Sequence, residues 1–299
     1  MKKRTGPLRG GVLPAAAGLG FLLLGALAAY SMDWPAQDGV MIRNFGYNDR
    51  GKPLAGVSFE VEGPIRAADT GELVFIHSPS NTASRLPSPL GAWIALGHRD
   101  GLVSIYGRFE DQGHSSLPNI IEKNTVIARA GLSGWTSRGG FYFSLFDRRE
   151  RRWVNPSMII NPPEDTRAPL IQSVMLKNAE GRIINPAQVR TIGQGRYTVL
   201  VEVTDTLRQA ADPPLAPHRI LCSVNGIEIG VLSFETLSVR DGILMAYRNN
   251  LVPASQIYAP FPAFEAGEVS FTRGQATMEI IAQDITGNSR NAVYRLQVE

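Results

Sequence analysis

Short runs of alternating apolar and polar residues recur through most of this chain, and turn-forming residues separate them. Residues 57–61 and 197–205 alternate with a period of two, the pattern of a β-strand with one buried face. Asp100-Gly101 and Asn225-Gly226 each lie between two such runs, and both dipeptides favour tight hairpin turns. Beyond the N-terminus no long stretch repeats with the period of a helix. The pattern therefore predicts an all-β protein, with further strands over residues 73–77, 92–97, 103–109, 126–130, 141–146, 276–282 and 292–298.

The N-terminus has a different pattern. Residues 12–30 are apolar and uncharged, and they follow four basic residues, Lys2, Lys3, Arg4 and Arg9. A positive segment before an apolar run is typical of an export signal, and 19 apolar residues are close to the roughly 20 that span a bilayer. Residues 1–31 are therefore expected to be a transmembrane or signal helix, either a cleaved signal peptide or an anchor in the inner membrane. Residues 32–51 are expected to be a tether.

The charge balance and the cysteine content limit where this chain is expected and which partners it binds. The remaining 26 Lys and Arg are outnumbered by the 27 Asp and Glu, so the basic pI comes from the N-terminal segment. Nothing in this balance favours nucleic acid as a partner. Cys222 is the only cysteine, which excludes an intramolecular disulfide. An exported chain of this kind is expected in the bacterial cell envelope, in the periplasm or outside the membrane.

A proline-rich stretch divides the strand pattern in two. Pro162 and Pro163 cannot donate to a sheet ladder, so a boundary is expected near residues 163–167. Residues 52–162 and 166–299 are each long enough to bury a core, and we expect each to fold alone. The second part has the turn-punctuated strands of a β-sandwich. Its turn at residues 284–288 (DITGN) resembles the turn before the last strand of bacterial immunoglobulin-like modules.

Five stretches of the first part carry a family pattern in the right order: residues 63–74, 92–109, 126–134, 140–145 and 153–156. Residues 92–109 contain H-R-D-G-L-V-S-I-Y-G-R-F, and residues 140–145 occupy the place of a G-x-H-L-H-F motif. In this order the stretches resemble the lysostaphin-type (LytM) zinc endopeptidases, which cut peptide bonds in bacterial cell walls. The resemblance implies a LytM-like β-sheet domain over residues 52–162.

The same resemblance implies a zinc ion held by two histidines and one aspartate. An alignment on Gly56 puts the first two ligand positions at Leu54 and Ser58 and the third at Phe143. Two further family histidines, which do not bind the metal, fall on Phe141 and Arg108. None of these five positions keeps its family residue, and leucine and phenylalanine have no lone pair for zinc. We therefore expect no zinc, no other cofactor and no catalytic residue in this chain.

Other residues do not rebuild a metal site at the sequence level. The four histidines, His77, His98, His114 and His218, lack the spacing that presents two ligands on one element. His98 is interpreted as a polar strand residue and His77 as a solvated one. Trp93 and Trp135 are interpreted as packing residues.

The function expected from these features is non-catalytic. The chain is expected to bind cell-wall (peptidoglycan) peptide or to regulate a wall hydrolase through a groove centred on Arg108, Phe141 and Phe143. The competing interpretation is that the two rings belong to the core. Two other functions stay open at this stage, an active zinc metalloendopeptidase with unorthodox ligands and a structural envelope or adhesion protein.

Overall fold

The computed structural model describes residues 32–80, 87–111 and 117–299. The described residues contain 21 β-strands, three short 3-10 helices and no α-helix, which confirms the all-β prediction. The helix expected over residues 1–31 lies outside the described residues. Within the described ranges, no helix is both long enough and apolar enough to cross a bilayer.

The described residues of the first part contain ten strands in antiparallel arrangements. The strands are β1 (Val40–Arg43), β2 (Val57–Glu60), β3 (Pro64–Arg66), β4 (Gly71–His77), β5 (Ala92–Gly97), β6 (Leu102–Phe109), β7 (Ile120–Ile121), β8 (Val126–Arg129), β9 (Phe141–Asp147) and β10 (Arg152–Val154), with 3-10 helices at Arg99–Gly101 and Pro156–Met158. Five of them lie side by side in the order β2-β9-β6-β5-β4. The predicted turn between β5 and β6 is present, with φ of 62° at Asp100 and 82° at Gly101.

The second part contains the other strands. They are β11 (Leu170–Asn178), β12 (Ile183–Ile184), β13 (Thr191–Ile192), β14 (Gly195–Thr204), β15 (Arg219–Val224), β16 (Ile227–Arg240), β17 (Ile243–Arg248), β18 (Asn250–Pro253), β19 (Ala263–Phe271), β20 (Gly274–Gln283) and β21 (Ser289–Val298), with a 3-10 helix at Ala254–Gln256. The Asn-Gly turn joins β15 to β16 as predicted, because Asn225 (φ 51°) and Gly226 (φ 76°) both adopt the left-handed conformation that such a turn requires.

Two sheets of the second part enclose one core, as a β-sandwich requires. One sheet has the order β12-β11-β14-β19, and the other contains β13-β21-β20-β15-β16. Val199 and Val201 on β14 and Ile220 and Cys222 on β15 are fully buried in the same hydrophobic cluster. Alternation along each strand sends these side chains inward and their neighbours outward.

The two parts of the chain share backbone pairing. β10 pairs with β9 on one side and with β16 on the other, so one 15-stranded sheet runs through both parts. The chain from Ser31 to Glu299 forms one compact unit. Residues 161–169 contain no strand or helix, as expected for a connection, and most of each hydrophobic cluster lies on its own side of it. Independent folding of residues 52–162 and 166–299 stays a prediction.

Residues 32–51 are part of the fold, and their description as a tether is corrected. β1 pairs with β2, and Met41 and Phe45 are 4% and 1% exposed. Met41 joins the cluster of the first part, whereas Phe45 joins that of the sandwich. The Asn44 side chain donates to the carbonyl of Ala216 (2.7 Å) and accepts from its N–H (2.8 Å). The apolar residues of this segment follow no single strand or helix period, because they enter two different cores.

Candidate functional site

The register of β2, β9 and β6 determines which side chains share a face of the sheet. Ser58 on β2 pairs with Tyr142 on β9, and Tyr142 pairs with Gly107 on β6. Successive side chains of a strand point to opposite faces. Ser58, Tyr142 and Ser144 therefore lie on one face, and Phe141 and Phe143 lie on the other.

Phe141 and Phe143 belong to the hydrophobic core, which corrects their placement on a groove floor. They are 1% and 0% exposed. The Phe141 ring stacks on Phe59 with 5.1 Å between ring centroids, and the Phe143 ring lies 5.2 Å from that of Tyr106. With Gly140 as the glycine of the G-x-H-L-H-F motif, the two histidine positions are 142 and 144. Placement of these histidines on Phe141 and Phe143 is therefore wrong by one residue, and a shift of one residue reverses the face of a strand.

A β-bulge aims Arg108 at the face of Ser58 and Tyr142. Across β5 and β6, Ala92 pairs with Phe109 and Trp93 pairs with Gly107, so Arg108 is the extra residue. Its φ is 69°, a left-handed conformation that is uncommon outside glycine. Bulges of this kind redirect a side chain, and here the bulge reverses the alternation that would point Arg108 into the core.

The Arg108 guanidinium is held by two contacts and keeps donor capacity. Its Nη1 donates to the Ser58 hydroxyl at 3.1 Å, and its Cζ lies 5.6 Å from the centroid of the Tyr142 ring. Nε is buried and has no hydrogen-bond partner among the described residues. Burial lowers the pKa of Arg108 from its ordinary value, although a guanidinium stays charged at neutral pH. The result is a positioned cation at the base of a cleft.

The cleft above Arg108 is basic and open. Its volume is about 730 Å³, and its described lining includes four arginines and one carboxylate, Asp49. The arginines are Arg43, Arg50, Arg108 and Arg138. Arg43 is 3.7 Å from Asp49, and Arg138 is 3.4 Å from Glu60, both in exposed ion pairs that contribute little to stability. A surface of this composition attracts anionic groups.

An exposed aromatic ring stands at the edge of the cleft. Trp135 is 73% exposed and lines the cleft, so its interpretation as a packing residue is corrected. The backbone N–H of Trp135 donates to the carbonyl of Pro89 (3.0 Å), and the backbone N–H of Arg108 donates to the carbonyl of Leu90 (2.6 Å). The end of the loop at residues 78–91 thus supports the backbone at both cleft residues. Residues 81–86 of that loop lie outside the described residues.

The donor set at the family's zinc positions does not fit zinc. Leu54 is half-buried and offers no lone pair, and Ser58 is 1% exposed and already accepts from Arg108. Ser144, at the third ligand position, is fully buried and offers only a hydroxyl. Tyr142 takes the place of a histidine that does not bind the metal, and burial raises its pKa to about 12, so its phenol stays protonated at neutral pH. Zinc takes imidazole, thiolate or carboxylate ligands. Within the described residues, the only His, Cys, Asp or Glu side chains grouped closely enough to share a metal are three aspartates, Asp165, Asp205 and Asp284, none of which lines this cleft.

The histidines have structural positions outside the cleft. The Nδ1–H of His98 donates to the carbonyl of Thr70 (3.0 Å), its Nε2 lies 2.6 Å from the Ser104 hydroxyl, and burial lowers its pKa. His77 is 6% exposed and packs beside Trp93, so its description as solvated is corrected. Burial also lowers the pKa of His218, in the second part. His114 lies outside the described residues.

Several cleft residues carry no signal in the sequence. Arg43, Arg50, Arg138 and Trp135 are dispersed over some 95 positions, and only the fold brings them beside Arg108. Tyr142 could have been found, because the motif glycine at Gly140 fixes its place. Arg108 is the one predicted groove residue that the structure places in the cleft.

Comparisons with known proteins show the following similarities. A protein-family model matches residues 168–299, and a search of curated proteins finds no match. Among solved structures, the chain is similar to the catalytic domain of the prophage-encoded M23 protein EnpA from Enterococcus faecalis (18% identity, 42% of this chain, 95% of that chain, TM-score 0.36). It is also similar to the SpoIIQ–SpoIIIAH pore forming complex (16% identity, 44% of this chain, 92% of that chain, TM-score 0.35). A third similarity is to the catalytic domain of the antimicrobial peptidase lysostaphin from Staphylococcus simulans (19% identity, 34% of this chain, 76% of that chain, TM-score 0.28).

Proposed function

We propose that this chain is a non-catalytic cell-envelope protein whose basic cleft binds a peptide with free carboxylates. The peptide is either wall (peptidoglycan) peptide or an acidic segment of a partner such as a wall hydrolase. The observation that carries the proposal is the Arg108 guanidinium, which a bulge aims into the cleft and which makes one hydrogen bond among the described residues, to the Ser58 hydroxyl.

The chemistry of the donor set supports a non-catalytic role. Hydrolysis of a peptide bond by this type of enzyme needs a metal-bound water and groups that stabilise the developing charge. Leu54, Ser58 and Ser144 offer a metal no imidazole, thiolate or carboxylate, and the Tyr142 phenol is not a general base at neutral pH. The inner face of the same strands is filled by aromatic rings.

The cleft's shape and charge support a carboxylate-bearing peptide. A guanidinium presents paired N–H donors that match a carboxylate, and partial burial strengthens such a bond relative to one in water. Arg43, Arg50 and Arg138 extend the positive field along the cleft. Trp135 offers an exposed ring against which a peptide side chain or backbone can pack. Wall peptides carry free carboxylates, and acidic protein segments do so too.

The N-terminal sequence supports the location. Basic residues followed by an apolar run at residues 12–30 are typical of an exported chain. An uncleaved segment would hold the protein at the inner membrane with the cleft outside the cytoplasm.

The test replaces Arg108 without straining the bulge. Asparagine tolerates φ near +69°, so Arg108→Asn removes the guanidinium and leaves the backbone conformation accessible. Arg151→Asn is a matched control, since Arg151 also has positive φ (54°) and is exposed outside the cleft. We expect the Arg108 variant to bind purified sacculi or soluble wall peptide at least tenfold more weakly, while the control binds normally.

The active metallopeptidase and the structural envelope protein predict different results in zinc analysis, wall digestion and binding. One equivalent of tightly held zinc together with wall digestion would establish the active metallopeptidase and overturn the proposal. Wild-type binding that persists in Arg108→Asn would show that the cleft is not the binding surface. If the wild-type chain binds neither sacculi nor a hydrolase from the same envelope, the structural role is favoured instead.

A further inference from the structure

Three aspartates from separate parts of the sequence meet beside the connection between the two parts of the chain. Asp165 lies in the irregular connection, Asp205 follows β14 and Asp284 follows β20. One carboxylate oxygen of each lies within 4.8 Å of the others. Like charges at this separation repel each other, so the arrangement needs either a cation among the carboxylates or a proton on one of them.

Two of these carboxylates have buried oxygens without partners. Asp284 is 2% exposed, and its Oδ1 accepts from the N–H and hydroxyl of Thr286 and from the N–H of Asn288 (2.8–2.9 Å). Its Oδ2 is buried and has no hydrogen-bond donor among the described residues, and the same holds for Oδ2 of Asp165. The two carboxyls can hydrogen-bond to each other only if one of them carries a proton. A buried carboxylate oxygen without a donor is costly. The turn at 284–288 therefore satisfies one oxygen of Asp284 and leaves the other available to a ligand.

In the described structure, no basic side chain forms an ion pair that compensates the charge of these carboxylates. None of the three aspartates forms a salt bridge with a lysine, arginine or histidine among the described residues. The charged and titratable groups that act on them are Arg167 beside Asp165 and Asp205, and His218 beside Asp284. Asp205 is 4% exposed, so solvent does not screen the cluster effectively.

The donor chemistry identifies the class of cation. All three ligands are carboxylates, and within the described residues no imidazole or thiol belongs to the group. Oxygen-only sites take hard cations, and carboxylates that bind through one or both oxygens suit the six to eight ligands of Ca²⁺. Mg²⁺ demands a strict octahedron and keeps several waters, which a buried cluster accommodates poorly.

We propose that Asp165, Asp205 and Asp284 form a calcium site that fastens the connection at residues 161–169 to the base of the sandwich. The site adjoins a small cavity whose lining includes Asn44, Asn155, Asp165 and Asp205, so residues of both parts meet there. A cation at this point links the connection to the turns that follow β14 and β20. Calcium would then stabilise the junction between the two parts independently of what the basic cleft binds.

Burial and mutual repulsion give the alternative to a cation. Burial raises the pKa of Asp205 to about 7, with the charges of Asp165 and Asp284 adding to the shift. In the absence of a cation, a proton on this carboxyl reduces the repulsion.

The experiment uses the full-length chain after treatment with EGTA. Isothermal titration with CaCl₂ should show one bound ion, and saturating Ca²⁺ should raise the thermal unfolding midpoint. Asp205→Asn and Asp284→Asn should each weaken Ca²⁺ binding at least tenfold, while Asn at 284 still accepts the turn's hydrogen bonds. Asp241→Asn, at an exposed turn with φ of 50°, is the matched control and should bind as the wild type does.

Three results would overturn the site. The first is no calcium binding by the wild type at millimolar concentration, and the second is unchanged binding in the folded Asp165→Asn variant, whose half-buried position makes it the mildest substitution. The third is Zn²⁺ or Mg²⁺ binding to these aspartates more tightly than Ca²⁺. The wild-type titration decides the question even if the variants at the buried positions fail to fold.

Discussion

Tyr142 and Phe143 are neighbours on β9 with opposite environments. The Tyr142 ring lies under the Arg108 guanidinium, whereas Phe143 contacts the rings of Tyr106 and Trp34 in the core. Both side chains are aromatic and both are largely buried, so residue type does not distinguish them. Their difference comes from the pleat of the strand, which assigns alternate side chains to the cleft face and the core.

Phe143→Ala should therefore act on stability. Removal of a fully buried phenylalanine ring costs about 3–5 kcal/mol, through lost burial and the cavity that remains. Urea unfolding measures this change in the free energy of unfolding. Trp135→Ala is the control, because an exposed ring should change that free energy by no more than about 0.5 kcal/mol. A Phe143→Ala variant as stable as the control would contradict the core position.

At the scale of elements, the contact of β2 with β9 depends on a glycine that precedes β9. Gly140 has φ of 152°, and a Cβ at this position would overlap the carbonyl oxygen of Phe59. Its N–H and carbonyl pair with Gly131 (3.1 and 3.0 Å). This close approach sets the register in which Ser58 faces Tyr142.

Gly140→Ala should disturb both the fold and the cleft. Strain at positive φ costs about 1–2 kcal/mol, and overpacking against backbone adds about 1–3 kcal/mol. Gly139→Ala is an adjacent control, since its added methyl would meet no atom within 4 Å and its φ is not positive. The comparison of unfolding free energies checks the prediction. Equal stability of the two variants would show that β2 and β9 do not approach this closely.

At the scale of the whole molecule, several connections join the two parts. β10 pairs with β16, Phe45 enters the sandwich core, and the Tyr258 hydroxyl donates to the carbonyl of Gly46 (2.6 Å). The proline-rich break in the sequence favours two separate units, whereas these contacts favour unfolding of both parts in one transition.

Calorimetry of the full-length chain should show a single unfolding transition for the described part. Contacts that bridge two cores make their unfolding cooperative, and Phe45→Ala should lower the midpoint of that one transition. Val40→Ala, at a position that is 55% exposed, is the control and should leave it nearly unchanged. Two well-separated transitions, of which Phe45→Ala shifts only one, would instead establish two independently folding units.

The sequence by itself determined the all-β class and several turns of this protein. Apolar runs bounded by turn residues are a local property, and they located β5, β6, β9, β14, β20 and β21 close to their observed bounds, whereas β11, β17, β18 and β19 were not predicted. Asp100-Gly101 and Asn225-Gly226 are local as well, because left-handed backbone conformations are restricted to a few residue types. The order of motifs in residues 52–162 also located Arg108 in the cleft.

Only the tertiary structure decided which face each side chain occupies and which distant residues meet. The bulge at Arg108 depends on pairing between β5 and β6, and such pairing leaves no local trace in a sequence. The three aspartates come together across 119 positions because the connection, β14 and β20 end at one place in the fold. Residues 32–51 follow no single period, since Met41 and Phe45 complete two different cores.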